Sequence, residues 1–155
     1  MDTKKLSCAC TGHRKISESK IGKVRCRLRG EILVAIIDGY TNFLSGFAKG
    51  TDLEFVKLIL MVKEVMPQIT LEAVIPYRDR LNAKEPDFQE LLSKCDKVTV
   101  ISEEKKRNCY TLRNKYLIEN ADRIIAVFDG RKRGGTSQTI RMAEKNKKNI
   151  RLINI

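Results

Sequence analysis

Short apolar runs alternate with segments of helical period along nearly the whole chain, and few folds accommodate that alternation. Leu6 to Cys10 reads as a first strand. Ser19 to Ile37 then repeats apolar residues at helical spacing, with Ile21, Val24, Leu28, Ile32 and Ile36 on one face and Gly39 as the stop. Gly22 and Gly30 inside that helix signal either close packing or modest strength. Thr41 to Leu44 is a second strand, and the helix after Asp52 runs to Met66, where Pro67 ends it. Ile69 to Ile75, Lys97 to Ile101, Ile124 to Phe128 and Ile150 to Ile153 supply further strands, with helices over Asn108 to Asn120 and Thr136 to Asn146. The polar stretch from Pro76 through Lys84 is the longest loop, and Pro86 is placed to open a short helix at its first position. Such a pattern buries its apolar faces as a parallel sheet covered by helices on both sides. The expected fold is a Rossmann-like α/β three-layer sandwich with about six mostly parallel strands.

At 155 residues and 42% hydrophobic, the chain has the size of one domain, residues 1–155, with a substantial core. The opening Met1-Asp2-Thr3-Lys4-Lys5 leads into only a short apolar strand. No apolar stretch approaches the roughly 20 residues of a membrane span, so the expectation is a cytoplasmic protein with no membrane contact. Cys8, Cys10, Cys26, Cys95 and Cys109 are odd in number and fall in strands and helices, which predicts reduced, mostly packed thiols. Cys8 and Cys10 share a strand face near His13, but a zinc site needs a second close ligand pair, and this chain has a single histidine and no CxxC. No metal and no cofactor is expected. A formal net charge of +12 implies attraction to polyanions, either nucleic acid or a phosphorylated metabolite, unless it marks only a soluble basic surface.

Right-handed crossovers in an open parallel sheet leave a crevice at the carboxyl ends of the strands. Four strand-following segments gather there: Thr11-Gly12-His13-Arg14, Ser45 to Asp52, Pro76-Tyr77-Arg78 and Asp129 to Thr136. Two of them are glycine turns that open a helix. Ser45-Gly46-Phe47-Ala48-Lys49-Gly50-Thr51-Asp52 and Gly134-Gly135-Thr136 each place free N–H groups and a helix-dipole end where an anion can approach. Valine at Gly50 or Gly135 is accordingly expected to abolish ligand binding without unfolding the chain. The competing explanation is that glycines in such turns serve turning and helix packing alone.

This ordered set, together with Ile75-Pro76-Tyr77, Arg113-Asn114 and Ala121-Asp122-Arg123-Ile124-Ile125-Ala126-Val127-Phe128-Asp129-Gly130, resembles the YpsA-like branch of the SLOG superfamily over nearly the whole chain. That superfamily joins the Lonely Guy nucleotide phosphoribohydrolases to the DNA-processing protein A family. The Ser-Gly-x-Ala-x-Gly-x-Asp run resembles the phosphate loop of DNA-processing protein A, a binder of single-stranded DNA, and Lys49 adds charge to it. In the Lonely Guy enzymes an arginine and a glutamate carry N-glycosidic cleavage of nucleoside monophosphates. The arginine position matches Arg113, a candidate catalytic residue, but the glutamate position falls on Thr139, and a threonine hydroxyl carries no negative charge at neutral pH. The loop Asp129-Gly130-Arg131-Lys132-Arg133-Gly134-Gly135-Thr136 is also longer and more basic than the glycine motif of those enzymes.

The resemblance implies a nucleotide or nucleotide-derived ligand, held as by a sensor or binding module. Gly134, Gly135 and Thr136 would hold a phosphate, with Ser45, Gly46 and Gly50 as the facing wall. Thr136 reads equally as a helix N-cap. Asp52 either bonds a ligand hydroxyl or amino group or caps its own helix. Arg14 and Arg113 suit charge-assisted phosphate contacts, with surface salt bridges as the alternative. Tyr77, after Pro76, either stacks on a base or covers the sheet edge. Thr11, Gly12, His13 and Asp129 complete the candidate wall. The alternatives are an N-glycosidic hydrolase, which Thr139 opposes, and a single-stranded nucleic-acid binder. The basic Arg131-Lys132-Arg133 favours that binder, while an aromatic content of 6% opposes it. A second copy of the chain remains open as a partner.

Overall fold

The computed structural model describes residues 5–155; Met1 to Lys4, part of the opening segment, lie outside the described residues. In chain order the elements are β1 (Leu6–Gly12), α1 (Glu18–Ile37), β2 (Tyr40–Ser45), α2 (Thr51–Val65), β3 (Thr70–Ile75), α3 (Phe88–Ser93), β4 (Lys97–Val100), α4 (Cys109–Glu119), β5 (Arg123–Phe128), α5 (Gly135–Lys145) and β6 (Asn149–Asn154). The sheet has six strands in the order β4-β3-β2-β1-β5-β6, and every pairing is parallel. This is the Rossmann-like α/β arrangement that the alternation predicts.

Burial follows the two-residue period of a strand covered on both faces. Cys8 and Cys10 of β1, Phe43 of β2 and Leu71, Ala73 and Ile75 of β3 point into one core, where α1 contributes Val24, Leu28, Ile32 and Ala35 and α2 contributes Phe55, Val56 and Ile59. Ala9, Leu44, Val74 and Ile124 point the other way, onto Leu117 and Ile118 of α4 and Ala143 of α5. Burial pushes the Cys8 thiol up to about 12, so it packs as a small apolar group.

The chain winds outward from β1 to β4, returns to the centre at β5 beside β1, and ends at β6. The direction of winding therefore reverses between β1 and β5, and their carboxyl ends, Gly12 and Val127 in register, form the mouth of a crevice.

Three local expectations change. Pro86 does not open α3: the helix begins at Phe88, behind Asp87 at φ 69°, because buried Phe88 packs edge to face on Phe47 at 5.6 Å and fixes the start there. The loop before it contains a short 3-10 helix, Arg78–Asn82. Gly22 and Gly30 have no atom within 4 Å of where a Cβ would stand, so neither allows close packing. They leave α1 only the weaker backbone of a glycine-bearing helix.

Candidate functional site

The β5–α5 turn is the most open of the rim loops. Gly134, at φ 118° and ψ 171°, is the N-cap of α5, and no side chain caps the helix. Thr136 is therefore the second residue of the helix and not its cap. The first intrahelical bond from this end is the Gln138 N–H to the Gly134 carbonyl, so the preceding turn keeps its N–H groups for another acceptor. Gly134, Gly135 and Thr136 line a cavity of about 450 Å³, and a Cβ at Gly135 would meet nothing within 4 Å.

On another wall of the same cavity stands Arg113, 5% exposed. Its position on α4 sends the guanidinium under the β2–α2 loop, where Nη1 donates to the Gly46 carbonyl at 2.6 Å, while Nε donates to Asn114 Oδ1 at 2.8 Å. Desolvation lowers its pKa and the charge of Asp52 raises it; an arginine stays cationic through such shifts. Asp52, also buried, accepts the Ala48 N–H at 3.1 Å. Burial raises the pKa of its carboxyl, with Arg113 opposing. Asp52 thus closes the loop in front of its own helix rather than capping that helix.

The β2–α2 loop spends its glycines inside the protein. A Cβ at Gly50, φ 83°, would lie 2.3 Å from the Arg14 carbonyl oxygen and 2.7 Å from that of His13. The expectation that valine at Gly50 would spare the fold is therefore corrected, since backbone occupies the space. Gly46 is similarly closed: its Cβ would stand 2.7 Å from Arg113 Nη1. The Ser45 hydroxyl is fully buried and accepts the Phe47 N–H at 3.2 Å. Phe47 itself is held at φ 55° with its ring in the core. Thr51 donates both its N–H and its hydroxyl to the His13 carbonyl, at 3.2 and 2.9 Å. The start of α2 is thereby tied to the β1–α1 loop. Gly12 belongs to the same packing, because a Cβ there would lie 2.4 Å from the Thr51 side chain.

His13 is 7% exposed, stacks on Phe128 at 5.8 Å, and accepts the Asp129 N–H on Nε2 at 3.1 Å. Desolvation lowers its pKa against the opposing pull of Asp129, in keeping with a neutral ring whose Nε2 lone pair takes that bond. Asp129 accepts the Arg131 guanidinium and the Arg131 N–H, which together hold its carboxyl well below the usual range.

Of the residues expected at the site, Thr11, Gly12, His13, Arg14, Asp52, Arg113, Gly134, Gly135 and Thr136 line the one cavity. Pro76 and Tyr77 line a smaller one of about 150 Å³, which shares Arg14, Ala48, Tyr110 and Arg113 with the first. Ser45, Gly46, Gly50 and Asp129 line neither. Arg14 forms no ion pair among the described residues; it lies over Tyr110 at 5.1 Å from the ring centre. Tyr110, Thr111 and Gln138 are wall residues that sequence reasoning missed, and Asn114, quoted beside Arg113 in the family resemblance, was given no role there. Tyr110 and Asn114 stand three before and one after Arg113 on α4, and the helical spacing of Tyr110 from a singled-out arginine was the available signal. Thr139 lines neither cavity: it is 1% exposed and its hydroxyl donates back to the Gly135 carbonyl at 2.8 Å.

Set beside known proteins, residues 11–155 match the family model YpsA, described as the YspA SLOG family. The chain belongs to that family. The UPF0398 protein BH1768 of Halalkalibacterium halodurans is 26% identical over 133 residues, covering 79% of this chain and 70% of the relative. Among solved structures, DNA processing protein A from Helicobacter pylori, studied for its single-stranded DNA binding mode, superimposes with a TM-score of 0.64 at 19% identity. That match covers 95% of this chain, which spans 64% of the Helicobacter chain's length. The molybdenum cofactor carrier protein of Chlamydomonas reinhardtii gives 0.56 at 18% identity, over 96% of this chain and 76% of that one. At such identities the two structures share the fold with this chain. Among the described residues no helix is long and apolar enough to cross a membrane.

Proposed function

We propose that the chain binds a nucleotide or nucleotide-derived molecule in the crevice between β1 and β5, as a sensor or binding module. One observation carries this reading: the uncapped first turn of α5 and the buried Arg113 guanidinium face a single cavity at the point where the winding of the sheet reverses. A phosphate there gains N–H donors and the helix dipole on one side and a fixed cation on the other. Arg14 and Lys15 add charge at the rim. The relatives in fold include binders of single-stranded DNA and of a molybdenum cofactor, which is in keeping with a phosphate-bearing ligand.

Binding without N-glycosidic cleavage is the better match to the wall chemistry. Such cleavage calls for a carboxylate beside the sugar. The carboxylate on the cavity wall is that of Asp52, which is buried and bonded to Ala48, and Thr139 is turned into its own helix. Calorimetric titration with a panel of nucleoside monophosphates tests the reading. Binding is expected, and Arg113→Ala and Gly135→Val should each weaken it at least about tenfold, the size of one charge-assisted contact. Free base released from the same panel by the unmodified protein, and not by Arg113→Ala, would replace binding with hydrolysis.

Exposed Lys132 and Arg133, which form no ion pair among the described residues, favour single-stranded nucleic acid as the second reading. An oligonucleotide would then show log affinity falling by about 0.7 per contacted phosphate against log salt, whereas a mononucleotide would give a shallow slope.

A further inference from the structure

The smaller cavity has a chemistry of its own. Its wall brings together the cations Arg14, Lys49, Arg80 and Arg113 with a single carboxylate, Glu85. Glu85 is already engaged, bonded to Arg80 Nη1, and Arg80 Nη2 donates to the Phe47 carbonyl at 3.0 Å. Arg14 and Lys49, by contrast, form no ion pair among the described residues. Positive charge therefore exceeds negative charge on this wall, and two of its cations form no ion pair among the described residues.

The aromatic side chains of the wall are engaged by cations. Tyr110 has the Arg14 guanidinium 5.1 Å and the Arg113 guanidinium 5.9 Å from its ring centre. The Tyr77 edge-to-face contact with Tyr110 is at 6.1 Å, and the Lys105 ammonium lies 5.4 Å over the Tyr77 ring. A stacked base would have to displace these cations, while a compact anion would draw them in. About 150 Å³ suits a phosphate group and leaves little room for a nucleoside.

Resting on the nucleotide reading above, we infer that the smaller cavity is a second phosphate subsite, so that the preferred ligand is a nucleotide carrying two separated phosphate groups. One phosphate sits at the start of α5, and the sugar passes Arg113 and Tyr110, which line both cavities. The other phosphate meets Arg14 and Lys49.

The experiment is calorimetric titration of the intact chain with ribonucleoside 5′-monophosphates and the matching 3′,5′-bisphosphates. For the preferred base, the bisphosphate should bind at least about tenfold tighter than the monophosphate, the worth of a charge-assisted contact. Exposed Lys49 lines only the smaller cavity, so Lys49→Ala should remove most of that gain while shifting monophosphate affinity less than about twofold. Monophosphate binding with no bisphosphate gain overturns the second subsite and leaves the nucleotide reading standing. Equal loss of both affinities in Lys49→Ala also overturns it, because Lys49 would then serve the first phosphate. Absence of binding by either ligand class overturns both readings together.

Discussion

Alanine at Gly50 should unfold this protein more readily, although the position sits in a half-buried turn beside the candidate site. Its Cβ would come to rest 2.3 Å from the Arg14 carbonyl oxygen, 2.6 Å from the Arg14 carbonyl carbon and 2.7 Å from the His13 oxygen. All three are backbone atoms, and the His13 carbonyl is pinned by both the N–H and the hydroxyl of Thr51. Relief therefore requires the β1–α1 and β2–α2 loops to separate. The backbone at φ 83° and ψ −127° adds an independent cost, about 1–3 kcal/mol for an L side chain in a region that only glycine adopts freely. Overpacking adds about 1–3 kcal/mol. Their sum, about 2–6 kcal/mol, corresponds at about 2–4 °C per kcal/mol for a chain of this size to a Tm lowered by about 10 °C. Gly135→Ala is the control, because a Cβ there meets nothing within 4 Å and its φ is not positive. Thermal unfolding followed by circular dichroism compares the two. A Gly50→Ala Tm within about 2 °C of the parent, with Gly135→Ala likewise unchanged, would refute the loop-packing argument.

Other changes test other parts of the structure. Gly22→Ala and Gly30→Ala, each in open space on α1, should stabilise by about 0.5–1 kcal/mol apiece, read as a raised urea midpoint with unchanged slope. His13 is the chain's one histidine, so its imidazole resonances are identified without mutagenesis, and an NMR titration should place its pKa below 6.5. The sign follows from linkage: the unfolded chain takes up the proton first, so stability is full above pH 6.5 and is lost as pH falls through the lowered folded pKa. A His13 pKa at or above 6.5 would contradict a buried neutral ring. Thr139→Glu puts a carboxylate where the side chain is 1% exposed; it should destabilise by at least about 2 kcal/mol in thermal unfolding and confer no release of base from nucleoside monophosphates.

Much of the sheet was legible because its strands are buried on both faces. Val and Ile runs such as Ile124 to Val127 have no other stable placement in a chain that also carries amphipathic helices. Helix ends were legible where the stop is chemical: Gly39, with φ 95°, follows the last turn of α1, and Pro67 follows α2. The start of α3 was not, because it is set by Phe88 packing on Phe47, a contact across 41 positions that no local pattern reveals. The gathering of four loops on one rim followed from topology alone. Which side chains turn into the cavity did not, since Ser45 and Thr139 each find a backbone partner that turns the hydroxyl away.

The two glycine turns look alike in sequence and do opposite work. Around Gly46 and Gly50 the missing Cβ atoms are filled by Arg113 and by the His13–Arg14 backbone, so this turn is consumed in fastening α4 and the β1–α1 loop to α2. Its Ala48 N–H goes to Asp52 and its Thr51 N–H to His13. Around Gly134 and Gly135 the space stays open and the helix start has no cap. The first turn thus works as the fixture that aims Arg113, and the second as the surface that Arg113 faces. A glycine pattern alone cannot separate these roles, because both demand a residue without a side chain. Only the occupant of the vacant Cβ position does so: protein at Gly46 and Gly50, open space at Gly135. For this reason the proposed phosphate site lies at α5, and the proposed second subsite at Arg14 and Lys49 rather than at the start of α2.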